Sequence, residues 1–215
     1  MKAKAKTASP EEDTGQIRVP AINVQSVEID IVGISSLIVH AWSEKAKGMM
    51  RDKQQKAARA PRAAKDPKAD FEAAKYLNAD GKDCIPAGAL RNAIIGAGRV
   101  VEGVPMTRIR GAVFLREDMI PLRFEKCSMR EDMVRVGGKG PGTGTADLRY
   151  RPEYTGWRAT LKIDYNASVI SLAELLNLIQ GAGFSVGLCE WRPEKGGDKG
   201  RFDIDGAPRT IARAT

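Results

Sequence analysis

From Trp157 to Tyr165 the chain alternates apolar and polar residues without a break. Trp157, Ala159, Leu161, Ile163 and Tyr165 fall on one side, with Arg158, Thr160, Lys162 and Asp164 on the other. That period of two predicts a strand with one core face and one polar, partly cationic face. Next comes Ser171-Leu172-Ala173-Glu174, a capping box that satisfies the free N–H groups of a helix start. The helix runs through Leu175, Leu176, Leu178 and Ile179. Gly181 predicts its stop, and Phe184 with Val186 predicts a resumed strand. Strand, helix, glycine, strand is a βαβ unit, so both strands belong to a helix-covered sheet.

The rest of the chain fits around that unit. Val27, Ile29 and Ile31 alternate with Glu28 and Asp30 as a half-buried strand, and Leu37-Ile38-Val39 is a second apolar run. Pro86 sits where a first helical position would be, and Leu90, Ile94, Ala97 and Val101 mark one helical face. The runs 111–116 and 119–124 flank Glu117-Asp118, which predicts a hairpin. Val136 to Thr145 is a glycine-rich stretch without the GxxxxGK[ST] order, read as a flexible connection. Residues 1–25 show no period and read as a flexible arm. The order predicts an α+β fold, a ferredoxin-like (RRM-like) sandwich with a basic helical insertion and glycine-rich loops. Residues 26–215 form its single domain.

Charge is unevenly placed. Between Lys45 and Lys68 stand nine basic residues against Asp52 and Asp66, while the whole chain carries only +8. A concentrated basic segment on a nearly neutral body points to a polyanionic partner, the alternative being a solvated helical insertion. The segment, about 44–78, reads as helical pieces broken at Pro61 and Pro67. Lys53, Lys56, Arg59, Arg62, Lys65 and Lys68 recur every three positions, so the charge winds round a helix by about sixty degrees per step. That pattern suits an embracing arm.

Several functions lose support. No apolar run approaches the ~18 residues of a membrane span, and the basic start lacks the apolar core of a secretory signal. Cys84, Cys127 and Cys189 are widely spaced and fit reduced thiols in a cytoplasmic protein. His40 is the only histidine, read as a strand-end residue, and no HExxH or CxxC spacing offers a metal site. No cofactor, metal or catalytic residue is therefore expected. Asp66, Asp70, Asp80 and Asp83 are the candidates for a cleaving aspartate, although Asp80-Gly81-Lys82-Asp83 is first an ordinary turn.

Binding residues are better supported. Ile85-Pro86-Ala87-Gly88-Ala89-Leu90-Arg91 joins a helix start to an arginine, and Arg99 follows eight residues later on the same helix. From Gly183 to Ile204 glycines interleave with Arg192, Lys195, Lys199 and Arg201. Glycines allow close backbone approach and cations neutralise phosphates, so the two segments read as one phosphate-backbone cradle. Trp191, Trp42 and Tyr150 are candidate stacking rings, and Trp191 suits an apolar plug equally well.

The first of these segments resembles the helix start of the RAMP superfamily, the backbone subunits of CRISPR effector complexes. The second resembles their carboxy-terminal glycine-rich loop. Here residues 87–89 are Ala-Gly-Ala where that family more often has Gly-Ser-Ser, and Gly187-Leu188-Cys189 lacks a second close glycine. The Leu-rich helix with the segment after it is also similar to small phage-encoded proteins. The resemblance implies an RRM-like antiviral-defence subunit that assembles side by side along single-stranded RNA, covering it with an inserted arm. Partners are then single-stranded RNA or DNA and copies of the chain in a filament or multi-subunit complex. The alternatives are a phage single-stranded DNA-binding or annealing protein, a RAMP-like endoribonuclease, and a protein–protein module with an acidic partner.

Overall fold

The computed structural model describes residues 21–42, 44–55, 64–138 and 144–213. The expected arm over 1–25 lies outside the described residues as far as residue 20, and strand begins already at Val24. β1 (Val24–Gly33) is followed by the short β2 (Leu37–Ile38). Helices α1 (Glu44–Gln54) and α2 (Pro67–Ala73) lie in the basic segment. β3 (Cys84–Pro86) leads straight into α3 (Ala87–Ala97), and α4 (Met106–Ala112) into β4 (Val113–Leu115). β5 (Met119–Arg123) precedes the long β6 (Lys126–Gly137) and β7 (Gly144–Thr155). β8 (Arg158–Asn166) and α5 (Leu172–Gly181) come next. A π-helical turn (Ala182–Val186), a 3-10 turn (Pro193–Lys195), β9 (Phe202–Ile204) and β10 (Arg209–Thr210) complete the described chain.

β1 pairs antiparallel with β8 from Val24↔Asn166 to Val32↔Arg158. β9 and β10 share the other edge of β1, while β4 and β5 share the other edge of β8, with β3 outside β5. α3 therefore crosses from β1 to β4 and α5 from β8 to β9, each joining parallel strands that flank a third. This split double crossover is the ferredoxin-like α+β arrangement. One core holds it together. Leu90, Ile94 and Ala97 of α3 and Leu175, Leu178 and Ile179 of α5 pack with Val27, Ile29, Ile31, Leu161 and Ile163 of the sheet. Each such aliphatic side chain contributes about 1.5–3 kcal/mol of burial before entropy. Trp157 is fully buried, donates from Nε1 to Ser35 O at 2.7 Å and meets the Phe202 ring edge-on. β2, β7 and β6 form a separate three-stranded sheet, with β6 and β7 paired from Lys126↔Thr155 to Gly137↔Gly144.

Several expectations are corrected. The runs around Glu117-Asp118 are no hairpin: β4 and β5 lie end to end along β8, as one strand interrupted by Arg116–Asp118. On its other edge β5 pairs with β3. Nor does a strand resume at Phe184. The helical path continues past Gly181 through Val186, because Ala182 and Val186 are buried in the core, and Phe184 is left 68% exposed. The strand completing the crossover is β9. Pro86 ends β3 as the N-cap of α3 rather than its first turn. Pro67 opens α2 instead of breaking it, with the Asp66 carboxylate accepting from Lys68 N and Ala69 N. The glycine-rich stretch 136–145 is strand at both ends, as far as Gly137 and from Gly144, and 139–143 lie outside the described residues.

Candidate nucleic-acid interface

The outward face of the main sheet is largely taken up by its own ion pairs. β1 and β8 present Ser26, Glu28, Asp30, Thr160, Lys162 and Asp164 there, and these neutralise one another and their neighbours. Arg209 bridges Glu28 at 2.7 Å and Asp30 at 2.8 Å. Arg116 meets Asp164 at 2.8 Å, and Lys162 meets Glu117 at 2.8 Å. The exposed Phe114 ring of β4, opposite Asp164, shares that face but already carries the Arg91 guanidinium at 4.8 Å.

The opposite side holds a groove. α3 and α4 converge with the segment after the π-turn around a cavity of about 290 Å³, lined among others by Asn92, Arg99, Arg110, Cys189, Arg192 and Glu194. Gly96 of α3 faces Val186 of the π-turn, where a Cβ would make ordinary contact at 3.5 Å. Arg99 Nη1 lies 2.8 Å from Glu194 Oε1, and Arg192 Nη2 lies 3.0 Å from Glu194 Oε2. Arg192 Nη1 also donates to Cys189 O at 2.9 Å. The Arg110 side chain has no acceptor among the described residues. Hydrogen bonds from Arg99 and Arg192 hold the Glu194 carboxyl below its usual range, so it stays ionised. Three guanidiniums around one carboxylate leave a net positive groove suited to phosphate oxygens.

The loop glycines serve mainly the loop itself. A Cβ at Gly183 would fall 2.0 Å from Phe202 O, one at Gly197 1.9 Å from Trp191 O, and one at Gly200 2.0 Å from Leu188 O. They permit backbone crossings that fix the cations, where the sequence suggested approach to a ligand. Gly88 and Gly196 alone among the cradle glycines face open space.

The structure places the sequence candidates differently. Arg99 and Arg192 line the groove. Arg91 faces the other way: Nε donates to Val113 O at 2.9 Å and Nη2 to Arg110 O at 2.6 Å, with the guanidinium 4.8 Å over the Phe114 ring. It braces α3 against α4 and β4. The helix start at Pro86 therefore contributes little, since Ala87 N–H is taken by Asp118 O and the groove uses the middle and end of α3. Lys195 stands exposed on the 3-10 turn, Lys199 lies 3.8 Å from Asp198, and Arg201 stacks 5.0 Å from the exposed Phe184 ring. Trp191 is 46% exposed beside the groove. Lys56, Arg59 and Arg62 lie outside the described residues, as does the side chain of Lys53 in α1. Sequence reasoning missed Arg110 and Asn92; Pro105 before Met106 was the only local sign of α4.

Two of the four candidate aspartates have side-chain partners. Asp66 caps α2, and Asp83 accepts from Tyr154 OH at 2.6 Å. Asp80 sits in the turn where Asn78 Oδ1 accepts from Asp80 N and Lys82 N. All three thiols are unpaired. Among the described residues no group of three His, Cys, Asp or Glu is placed to hold a metal, and no helix is long and apolar enough to cross a membrane.

Acid should destabilise this fold in two stages. Burial, then the charge of Arg151, holds His40 below its ordinary value, so the unfolded chain takes up a proton first as pH falls below ~6.5. Asp30 is held low by the Thr160 hydroxyl and Arg209. Asp132 and Asp164 are raised by burial, but lowered further by Arg130 and Arg151 and by Arg116 and Ser26 respectively. These carboxylates stabilise fully above the ordinary range near ~4, and that stabilisation is lost as pH falls through their depressed values. Thermal melts should fall gently from pH ~6.5 and steeply below ~4; a flat profile down to pH 3 contradicts the paired network.

No protein-family model matches this sequence, and no curated protein matches it. Solved structures do. A chain in the cryo-EM structure of the Type III-B Cmr-beta bound to cognate target RNA superposes with a TM-score of 0.52 at 9% identity. The match covers 88% of this chain and 61% of that one, so the present chain spans under two thirds of its length. Cmr6 from Pyrococcus furiosus gives a weaker likeness, a TM-score of 0.43 at 10% identity over 86% of this chain and 100% of that one. At such identity the first likeness is one of fold.

Proposed function

We propose that this chain binds single-stranded nucleic acid, preferably RNA, and assembles side by side along it as a backbone subunit of a CRISPR-effector-like complex. The observation that carries the reading is the groove where Arg99, Arg110 and Arg192 surround the single carboxylate of Glu194. Arg99 and Arg192 are held by the Glu194 carboxylate and the Cys189 carbonyl, so they lose little side-chain freedom when phosphates arrive. The fold shared with a chain of an assembly bound to cognate target RNA supports RNA as the strand. The surplus of cations between Lys45 and Lys68 supplies a second contact surface on the same strand. For an endoribonuclease, Asp66 and Asp83 are occupied in a cap and a tyrosine hydrogen bond, which leaves Asp70 and Asp80 as its candidates.

Fluorescence anisotropy with single-stranded RNA, single-stranded DNA and duplex, across a salt series, tests the reading. RNA should bind best and duplex worst, and log K should fall with log salt by about 0.7 per phosphate contacted. Equal affinity for duplex, or no salt slope, would overturn it. Tighter binding to single-stranded DNA would favour the DNA-binding alternative. Negative-stain images with a long strand should show filaments or stacked crescents.

A further inference from the structure

Trp191 adopts φ +55 and Cys189 φ +60, the only two non-glycine residues with positive φ among those described. Bulky side chains rarely occupy that region, and they persist there only where the surroundings force them to. Lys199 N donates to Trp191 O at 2.9 Å within the loop, and the β6–β7 hairpin takes the indole. Trp191 Nε1 donates to Asp132 Oδ2 at 3.3 Å, and Asp132 is only 6% exposed. The same carboxylate takes Arg130 Nε at 2.8 Å and Arg151 Nη1 at 3.1 Å. Arg151 also reaches Glu190 Oε2 at 3.7 Å, and Glu190 N donates to Ile38 O of β2 at 2.9 Å. Segment 190–191 is thus gripped from both strands of the hairpin and from β2.

Keeping such charges out of water is costly, and replacing them with apolar packing would often stabilise a fold more. The network is not even complete, since Arg151 Nε is buried with no acceptor. What it achieves is orientation. A plain apolar plug would be buried and would need no charged anchor, yet this indole is 46% exposed with its N–H tied inward. Arg192 of the groove follows it directly in the chain, and the exposed Lys195 comes three residues later.

We propose that Asp132 is a positioning residue that holds Trp191 as a stacking platform for an unpaired nucleobase. The hairpin and the glycine-rich loop then form one base-binding unit beside the phosphate groove. The inference rests on the strand-binding reading above and adds the ring that meets a base and the group that aims it.

The test compares a single-stranded oligonucleotide with an abasic one of equal length and charge. In a Trp42→Phe background, Trp191 is the exposed indole whose quenching reports stacking, because Trp157 is fully buried. The parent should prefer the base-bearing strand about tenfold, with quenching. Trp191→Ala should erase the preference. Asp132→Asn and Trp191→Phe should each bring it to within about twofold of unity, and the pair together should cost no more than either. Trp191→Phe keeps a ring but no N–H, and it decides the matter if Asp132→Asn fails to fold. A preference kept in full by the foldable variants, or no preference in the parent, overturns the proposal. Loss of binding to both strands in the parent would instead refute the strand-binding reading.

Discussion

Replacing Arg99, Arg110 and Arg192 together with glutamine should weaken single-strand binding about a hundredfold at 0.1 M salt. Each phosphate contact contributes about 0.7 to the salt slope for a single strand, so losing three lowers it by about 2. At 0.1 M that equals two decades relative to 1 M, where the contribution vanishes. The stability cost should be modest, because the Arg99 side chain is 57% exposed and such partly exposed pairs contribute at most about 1 kcal/mol each. Glutamine keeps part of each stem, which limits lost packing. Salt titrations of parent and variant should therefore converge towards 1 M. Parallel lines at every salt concentration would place the phosphates elsewhere, most directly on the Lys45–Lys68 segment.

Gly200→Ala should be the most damaging single exchange in the glycine loop. Gly200 has φ +65, and an added Cβ would sit 2.0 Å from Leu188 O, a backbone atom that cannot swing aside. Its own N–H donates to Ser36 O at 2.8 Å and its carbonyl accepts from Leu188 N at 2.9 Å, so relief must break one of these. Steric strain and a lost hydrogen bond together cost about 3 kcal/mol or more. For a chain of this size that lowers Tm by about 6–12 °C. Strand affinity should fall with it, because the crossing holds the loop that carries Arg192. Gly88→Ala is the matched control: it lies in α3 with nothing within 4 Å and should be neutral or up to ~1 kcal/mol more stable. A Gly200→Ala melt within 2 °C of the parent would show the crossing to be soft.

Elements with one-sided burial were readable from the chain alone. Ala159, Leu161, Ile163 and Tyr165 are all buried while their alternates are not, so period two survives in β8. The capping box forms as written, with Ser171 Oγ accepting from Glu174 N and Glu174 Oε2 accepting from Ser171 N. β6 was not readable because it buries only Asp132 and shows water to both faces, which leaves no alternation to detect. α4 was hidden by its brevity, and with it Arg110. The hairpin misreading has the same origin. Two short apolar runs around an acidic pair suit a reversal, and only β8, which pairs with both, makes them one broken strand.

By itself the sequence determined the ferredoxin-like α+β class, the α5 start and the basic segment, and it pointed to Arg99 and Arg192 but not to α4. Those follow from periodicity, capping and charge, which act between residues close in the chain. Only the tertiary structure decided that Arg99 joins Arg192 on Glu194 while Arg91 turns to the carbonyls of Val113 and Arg110. It also decided that a buried aspartate on β6 grips Trp191 from a distant part of the chain. A guanidinium or an indole N–H goes to whichever acceptor the packed core brings near, and no local pattern encodes that meeting.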